Sequence, residues 1–332
     1  MLQLLRKIAF PFSLIYGLVV HVRNFLYYKG VFASQTYETP TICVGNLSVG
    51  GTGKTPMTEY LLRMLKDERV AVLSRGYKRK SEGFVLASRK STVLDLGDEP
   101  FQLHRKFPDV AIAVDADRRN GMEQLETLVK PNVVVLDDAF QHRKVKPTFS
   151  LLLTAFDNLY VDDWYLPTGN LRDAKNQADR ANLIIVTKCP AGLTASERDA
   201  IGSKLQPKSH QKVLFASLNY ADSVADGKGQ TLPLDSLKSK EIALVTGIAS
   251  PKPLLQFLSV NGIQYKHYEF GDHHHFSAKD IESFQGHQLV LTTEKDFVRL
   301  EGKIDGLYYL EVAHHFSESD HAILKKSIER LF

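Results

Sequence analysis

Cysteine is nearly absent: Cys43 and Cys189 are the only two in 332 residues. That excludes a small disulfide scaffold. Both lie in or beside apolar strand patterns, which predicts buried free thiols and a reducing, ATP-containing compartment. A long hydrophobic run is also missing. The uncharged stretch from Ile8 to Val20 is short for a membrane span and is interrupted by Pro11. Charge of one sign is not in large excess. A net charge of +4 gives no electrostatic case for a nucleic-acid partner, and none is expected. Repeats and low-complexity tracts are absent. A hydrophobic content of 43% and a charged content of 24% describe a globular chain of one large or two modest domains.

The chain does carry a phosphate-binding signature. An apolar run at Thr41–Val44 is followed by Gly50, Gly51, Thr52, Gly53, Lys54, Thr55 and Pro56. Glycines let backbone N–H groups wrap a polyphosphate, a lysine reaches the outer phosphates, and a hydroxyl beside it can meet Mg²⁺. The following helix offers its positive N-terminus to the anion. Ser48 stands where the usual first glycine would be, so this is a variant P-loop.

The first 28 residues form a distinct region, rich in Leu, Ile, Val, Phe and Tyr, in which Arg6, Lys7, His21 and Arg23 flank the uncharged run Ile8–Val20. A signal peptide fits the basic start, but no small-residue cleavage site follows. Two readings remain open. One is a helix packed on the protein's own core. The other, preferred, is an amphipathic helix at a membrane interface, with Phe10, Phe12, Tyr16, Phe25, Tyr27 and Tyr28 at headgroup level.

After residue 40, β-branched runs alternate with helical patterns. Strands are predicted at Arg69–Leu73, Val110–Val114, Val133–Leu136, Ser150–Leu153 and Leu183–Val186. Helices are predicted from the P-loop through Leu65, over Asp98–Phe107 and over Arg118–Leu128. This is α/β order with a mostly parallel sheet covered on both faces. Tyr220–Gln230, rich in Asp, Gly and Ser, reads as a linker. Beyond it, runs at Ile242–Thr246, Leu289–Thr292 and Leu307–Glu311 start a second α/β pattern. The expected organisation is therefore an N-terminal helix over 1–28, a P-loop core over 29–220 and a smaller C-terminal α/β domain over 221–332, with a cleft between the last two.

Ligands of such sheets bind at the carboxyl ends of the strands, where the P-loop, Ser74–Tyr77 and Asp137-Asp138 should converge. Val133–Asp138 fits a Walker B strand whose carboxylates hold Mg²⁺ beside Thr55. Asp98 and Glu99 open a predicted helix. Acidic residues favour first turns, yet a phosphoryl-transfer enzyme also needs a carboxylate to take the acceptor's proton. The run Gly271–Phe276 holds three consecutive histidines. Their directions diverge and no second ligand motif accompanies them, which favours a polar loop or a single site histidine over a metal. Arg118, Arg119 and Arg172 are candidates for phosphate contacts. Thr187-Lys188-Cys189-Pro190 lacks the aspartate that reads guanine in GTPases, which argues against GTP.

Taken in order, these segments resemble the tetraacyldisaccharide 4'-kinases of the lipid A pathway. The pieces are Val44–Pro56, Ser74–Tyr77, Gly97-Asp98-Glu99-Pro100, Asp117-Arg118-Arg119, Asp137-Asp138 with Phe140-Gln141-His142, Leu166–Arg172, Asp272-His273 and Thr293–Asp296. Ala139 stands where the family usually has Gly, and Thr168 where it often has Ala. The resemblance implies an ATP- and Mg²⁺-dependent enzyme at the cytoplasmic face of a bacterial inner membrane. It would phosphorylate the 4'-hydroxyl of an acylated glucosamine disaccharide 1-phosphate, and a monomer is expected. It further implies Asp98 as base with His273 as its partner. Lys54, Thr55, Asp137 and Asp138 would serve nucleotide and metal. Glu99 and Gln141 would join the metal site, and Arg119 and Arg172 the catalytic one. Two alternatives stay open: a metallochaperone-type P-loop NTPase, and a non-catalytic membrane-associated nucleotide-binding module.

Overall fold

The computed structural model describes residue 6 and residues 8–332. The start of the expected N-terminal helix, at residues 1–5 and 7, lies outside the described residues. The chain opens with α1 (Phe10–Tyr28), β1 (Thr41–Asn46), α2 (Lys54–Met64), β2 (Val70–Ser74) and β3 (Val85–Leu86). It continues with α3 (Val93–Leu96), α4 (Asp98–Lys106), β4 (Ala111–Val114), α5 (Arg118–Leu128), β5 (Val133–Asp137), β6 (Phe149–Ala155) and β7 (Leu183–Thr187). Then come α6 (Ala195–Leu205), β8 (Lys212–Ala225), β9 (Thr231–Pro233), β10 (Ile242–Thr246), α7 (Lys252–Val260) and β11 (Lys266–Glu269). The last elements are α8 (Ala278–Gln285), β12 (Leu289–Thr293), α9 (Glu294–Leu300), β13 (Leu307–Phe316) and α10 (Glu318–Glu329).

All the strands join one sheet, in the order β11-β10-β12-β13-β8-β7-β6-β1-β5-β2-β4-β3, with β9 beside β8. The pairings are parallel except at β3–β4, β8–β9 and β8–β13. Parallel strands need cover on both faces, and the residues alternate accordingly. Ile42 and Val44 pack with Met57 and Leu61 of α2 on one side, while Cys43, Leu73 and Leu136 pack with Met122 and Leu125 of α5 on the other. The second half repeats the pattern, with Ile242 and Leu244 in one core and Ala243 and Val245 in the other. Cys43 and Cys189 are buried and free. Burial pushes their thiols up, to about 12 and about 11.

The β8–β13 ribbon creates the cleft. β7 pairs with the start of β8, at Lys212–Phe215, whereas β12 pairs with Leu307–Leu310, opposite the far end of β8. β8 therefore runs on past the carboxyl end of β7. β12 and β10 run antiparallel to it and point their own carboxyl ends back. The carboxyl ends of both halves face one another across the ribbon. Tyr220–Ala225, read above as the start of a linker, is the second half of β8. Tyr220 stacks on Phe257 at 4.6 Å between centroids, and Val224 is fully buried. Asp222, which suggested a loop, is an exposed strand position where the β8–β13 register shifts. The turn is shorter, at Asp226–Gln230, where the Asp226 carboxylate accepts from the N–H groups of Lys228 and Gln230.

Helix α1 reverses the usual amphipathic pattern. Its buried stripe is Ser13, Gly17, Val20 and Asn24. Gly17 lies against the Tyr165 ring, where a Cβ would come within 2.8 Å. Ser13 Oγ donates to Thr168 Oγ1 at 2.8 Å, Asn24 donates to the fully buried Asp173 at 2.7 Å, and Arg23 pairs with Asp173 at 3.0 Å. Phe12, Ile15, Leu18, Val19, Val22 and Phe25 face outward, each at least half exposed. No helix among the described residues is long and apolar enough to cross a membrane.

Candidate active site

A cleft of about 900 Å³ lies between the two sets of strand ends. Gly50 through Pro56 line it, with Asp137, Asp138, Glu99, Gln141, Arg172, His273 and Lys295. Strand β1 delivers the P-loop. Gly50 and Gly53 have φ of +112° and +83°, which a side chain would strain. The loop is tied from three directions. Asn46 Nδ2 donates to Thr52 Oγ1 at 2.8 Å, and Thr187 Oγ1 donates to the Thr52 carbonyl at 2.8 Å. His314 Nε2 reaches the Gly53 carbonyl at 2.9 Å. A carbonyl only accepts, so the proton of that ring sits on Nε2. Burial lowers the His314 pKa to about 4, which keeps it neutral. Ser48, in place of the first glycine, donates its hydroxyl to Asp163 at 3.0 Å and anchors the loop entrance.

The Walker B carboxylates differ. Asp137 is buried and accepts from Thr58 at 3.3 Å and Ser74 at 3.1 Å. Burial, then Asp138 and Glu99, push its pKa up to about 6. Asp138 has φ of +45° and forms a two-pronged pair with Arg172, which also donates to Asn46 Oδ1. Burial would raise the Asp138 pKa, but Lys54 at 3.8 Å and then Arg172 outweigh it and lower it. Lys54 is itself lowered by burial. Gln141 Nε2 donates to the Asn46 carbonyl at 2.6 Å, and its buried Oε1 has no hydrogen-bond partner.

Across the cleft, Asp98 opens α4 and His273 sits on the loop after β11 with φ of +58°. Their side chains meet at 2.8 Å, Asp98 Oδ2 to His273 Nδ1. Asp98 lies just behind the lining residues Glu99 and His273. Burial would raise its pKa, yet the hydrogen bond from His273 and the charge of Arg299 lower it, so it is ionised at neutral pH. Lys295 Nζ lies 3.0 Å from His273 Nε2, 2.9 Å from Glu99 and 3.0 Å from Asp272. The neighbouring His274 pairs with Asp280 at 3.1 Å and stacks on Phe270, away from this pair.

One candidate does not join the group. Arg119 pairs with Asp117 at 3.3 Å, its side chain is 43% exposed, and it is not among the cleft-lining residues. Successive residues of a helical turn diverge by about 100°. It is Arg118, the preceding residue, that turns inward. Arg118 is 1% exposed, lines the cleft and donates to the Asp115 carbonyl. Burial draws its pKa down to about 10, against the pull of Asp137. Sequence reasoning gave no role to Lys295 and Arg299. Their spacing of four on α9, after Thr293-Glu294, was the available signal.

Comparison with known proteins places this arrangement. The profile of the family described as tetraacyldisaccharide-1-P 4'-kinase matches residues 5–329. The tetraacyldisaccharide 4'-kinase of Flavobacterium johnsoniae is 50% identical over 322 residues, 95% of this chain and 94% of that protein. That of Bacteroides thetaiotaomicron is 47% identical over 89% of this chain and 83% of its own length. The crystal structure of LpxK from Aquifex aeolicus, solved in complex with ATP, superposes with a TM-score of 0.80 at 31% identity, covering 99% of both chains.

Proposed function

This chain belongs to the tetraacyldisaccharide 4'-kinase family and carries its activity, and from that premise we propose how its cleft performs the transfer. ATP lies along Gly50–Pro56, with Lys54 and Arg172 on its outer phosphates. The acceptor is the 4'-hydroxyl of the acylated glucosamine disaccharide 1-phosphate, approaching from the side of α4. Asp98 accepts the hydroxyl proton as the oxygen bonds to the γ-phosphorus and the bond to the β–γ bridging oxygen breaks, releasing ADP and the 4'-phosphorylated product (lipid IVA). His273 holds Asp98 and keeps its negative charge localised. A loose transition state needs little help with bond making, so positioning and charge neutralisation supply most of the acceleration.

Mg²⁺ fits the residues present. Asp137, Asp138 and Glu99 gather around the P-loop, burial and then its neighbouring carboxylates raise Asp137 to a pKa of about 6, and Gln141 Oε1 is an orphaned acceptor. Oxygen donors are what this ion takes. Thr55 Oγ1, Asp137 and Asp138 would hold it, with Glu99 and Gln141 as further ligands. When bound it would neutralise charge on the β- and γ-phosphate oxygens. The metallochaperone alternative is not favoured, since both ring nitrogens of His273 are engaged, by Asp98 and Lys295.

We place the outward apolar face of α1 in a membrane interface at the cytoplasmic side of the inner membrane. Large apolar side chains turned to solvent while polar ones are buried make sense only against another apolar phase. Arg23 of α1 lines the cleft, so a lipid substrate held at this helix reaches the phosphates without leaving the surface. The working unit is a monomer. The chain functionally divides near residue 220, with nucleotide residues before it and the base's partners after it. The observation that carries the whole reading is the Asp98–His273 pair, whose His273 lines the same cleft as the P-loop. The test is mass spectrometry of lipid after incubation with Mg²⁺-ATP and tetraacyldisaccharide 1-phosphate. One added phosphate, lost in Asp98→Ala, is expected. An Asp98→Ala variant that still adds it overturns the base assignment.

A further inference from the structure

Helix α9 brings two cations to the base from behind. Arg299 Nε lies 3.1 Å from Asp98 Oδ2 as an ion pair rather than an aligned hydrogen bond, and both side chains are only 10% exposed. The guanidinium is itself braced: Nη1 donates to the His274 carbonyl at 2.9 Å and lies 3.4 Å from the fully buried Asp296. Asp296 in turn is fixed by the Gly247 N–H and the Thr293 hydroxyl, both at 2.8 Å. Arg299 is not among the cleft-lining residues, and its guanidinium is turned to Asp98, the His274 carbonyl and Asp296. One turn earlier, Lys295 faces His273 Nε2 at 3.0 Å. Burial would lower the Lys295 pKa, but Glu99 and Asp272 overcome that and raise it, so the amine is charged and can only donate. His273 Nε2 is therefore the acceptor, and Nδ1–H donates to Asp98. The imidazole cannot swing to compete for the acceptor's proton. Both the His273 and the Arg299 contacts fall on Oδ2. They leave Oδ1 as the oxygen that meets a hydroxyl.

We propose that Arg299 is a positioning residue for the phosphoryl transfer, locking the Asp98 carboxylate by its Oδ2 so that Oδ1 faces the acceptor hydroxyl. The inference rests on Asp98 being the base. Without Arg299 the carboxylate is held at one point by His273 and can turn about its side-chain bonds. Misplacement of a reacting group by about 1 Å costs on the order of a hundredfold in rate. Arg299→Gln should lower kcat by about ten- to a hundredfold and leave KM for ATP and for the lipid within about twofold. Lysine keeps charge without the planar reach, so Arg299→Lys should fall between the two.

The experiment measures kcat and KM for Arg299→Gln, Arg299→Lys, Asp98→Asn and the Asp98→Asn/Arg299→Gln pair. Arg105→Gln is the control, because Arg105 ties α4 to Glu301 at the same interface and touches neither base nor substrate. If Arg299 acts through Asp98, the double variant is no slower than Asp98→Asn alone and Arg105→Gln keeps its kcat. Multiplying losses in the double variant, a change confined to KM, or an Arg299→Gln enzyme with wild-type kcat overturns the proposal while leaving the base in place. An Asp98→Asn enzyme that keeps its kcat removes the base assignment itself. Should Arg299→Gln not fold, Arg299→Lys with and without Asp98→Asn gives the same reading.

Discussion

Removing Lys106 should destabilise the protein in a way that depends on pH. Lys106 ends α4, the helix that Asp98 begins, and its amine sits among Glu59 of α2, Glu294 of α9 and Glu311 of β13. The first two contacts are 2.7 Å long, and Glu59 and Glu294 are buried. At an effective dielectric of about 20, each such contact is worth about 6 kcal/mol before desolvation. Breaking a buried pair by deleting one partner costs about 3–5 kcal/mol net. Arg63 at 3.3 Å and Gln102 at 2.9 Å remain on Glu59, so the lower end, about 3 kcal/mol, is expected for Lys106→Met at pH 8. Burial, then Glu59, push Glu294 up to about 8, while Lys106 is raised because its carboxylates outweigh its burial. These directions agree: one cation serves three carboxylates, and the cluster prefers to keep a proton. A carboxyl whose folded pKa exceeds its unfolded 4.5 binds the proton more tightly when folded. Its contribution to stability therefore falls as pH rises from 4.5 through about 8. Lys106 stays charged throughout that window. Without it the Glu294 pKa climbs further, so the deficit should be somewhat larger at pH 8, where wild-type Glu294 is about half ionised, than at pH 6, where both proteins hold the proton. Urea unfolding of both proteins at the two pH values measures this. A deficit below about 1 kcal/mol at pH 8, or one no smaller at pH 6, refutes the reasoning. Adding Glu294→Gln to Lys106→Met should restore part of the loss.

Asp98→Ala should lower kcat by about 10²- to 10⁴-fold with the circular dichroism spectrum unchanged; a kcat within tenfold of wild type would sink the base assignment. Replacing Phe12, Ile15 and Leu18 by Ser should abolish sedimentation with anionic vesicles without lowering Tm, since these side chains cover no core; vesicle binding equal to wild type would contradict the membrane role of α1. Because metal binding needs an ionised carboxylate and the Asp137 pKa is about 6, Mg²⁺-ATP affinity measured by calorimetry should weaken as pH falls below about 6. Asp137→Asn should bind weakly at every pH, and a pH-independent wild-type Kd would count against Asp137 as a ligand.

What was legible in the sequence is what depends on neighbours along the chain. The P-loop, the Walker B strand and the Arg118–Leu128 helix are short segments whose residue types dictate local geometry, and they lie where the patterns put them. Strand ends moved by a residue or two. The ribbon was not legible. Half of β8 was read as a linker because Asp222 and Ser223 lower its apolar content, yet the stretch where β8 shifts register against β13 leaves them only partly covered, and that partner lies about ninety residues downstream. Arg118 and Arg119 look alike in the chain. Only the direction in which α5 leaves β4 decides which of them is buried. Helix α1 shows a different limit. Its sequence is apolar almost all round, so the stripe that packs on the protein could not be identified without knowing that Tyr165 and Asp173 lie beneath Gly17 and Asn24.

The same separation explains why the base is assembled from both sides of the ribbon. Asp98 comes from the first half, and each of its partners, His273 and Arg299, comes from the second. A carboxylate at the first turn of α4, with only the helix dipole beside it, would be an ordinary exposed acid. The second half buries it, aims it and keeps it ionised at once, because the desolvation that would raise its pKa arrives together with the cation and the N–H donor that lower it. The P-loop is tied to that half too, through His314 on Gly53. Nucleotide loop and base are thus referenced to one ribbon, β8–β13. A change that shifts the ribbon should affect binding of ATP and proton transfer together, whereas a change on the outward face of α1 should affect only the encounter with lipid.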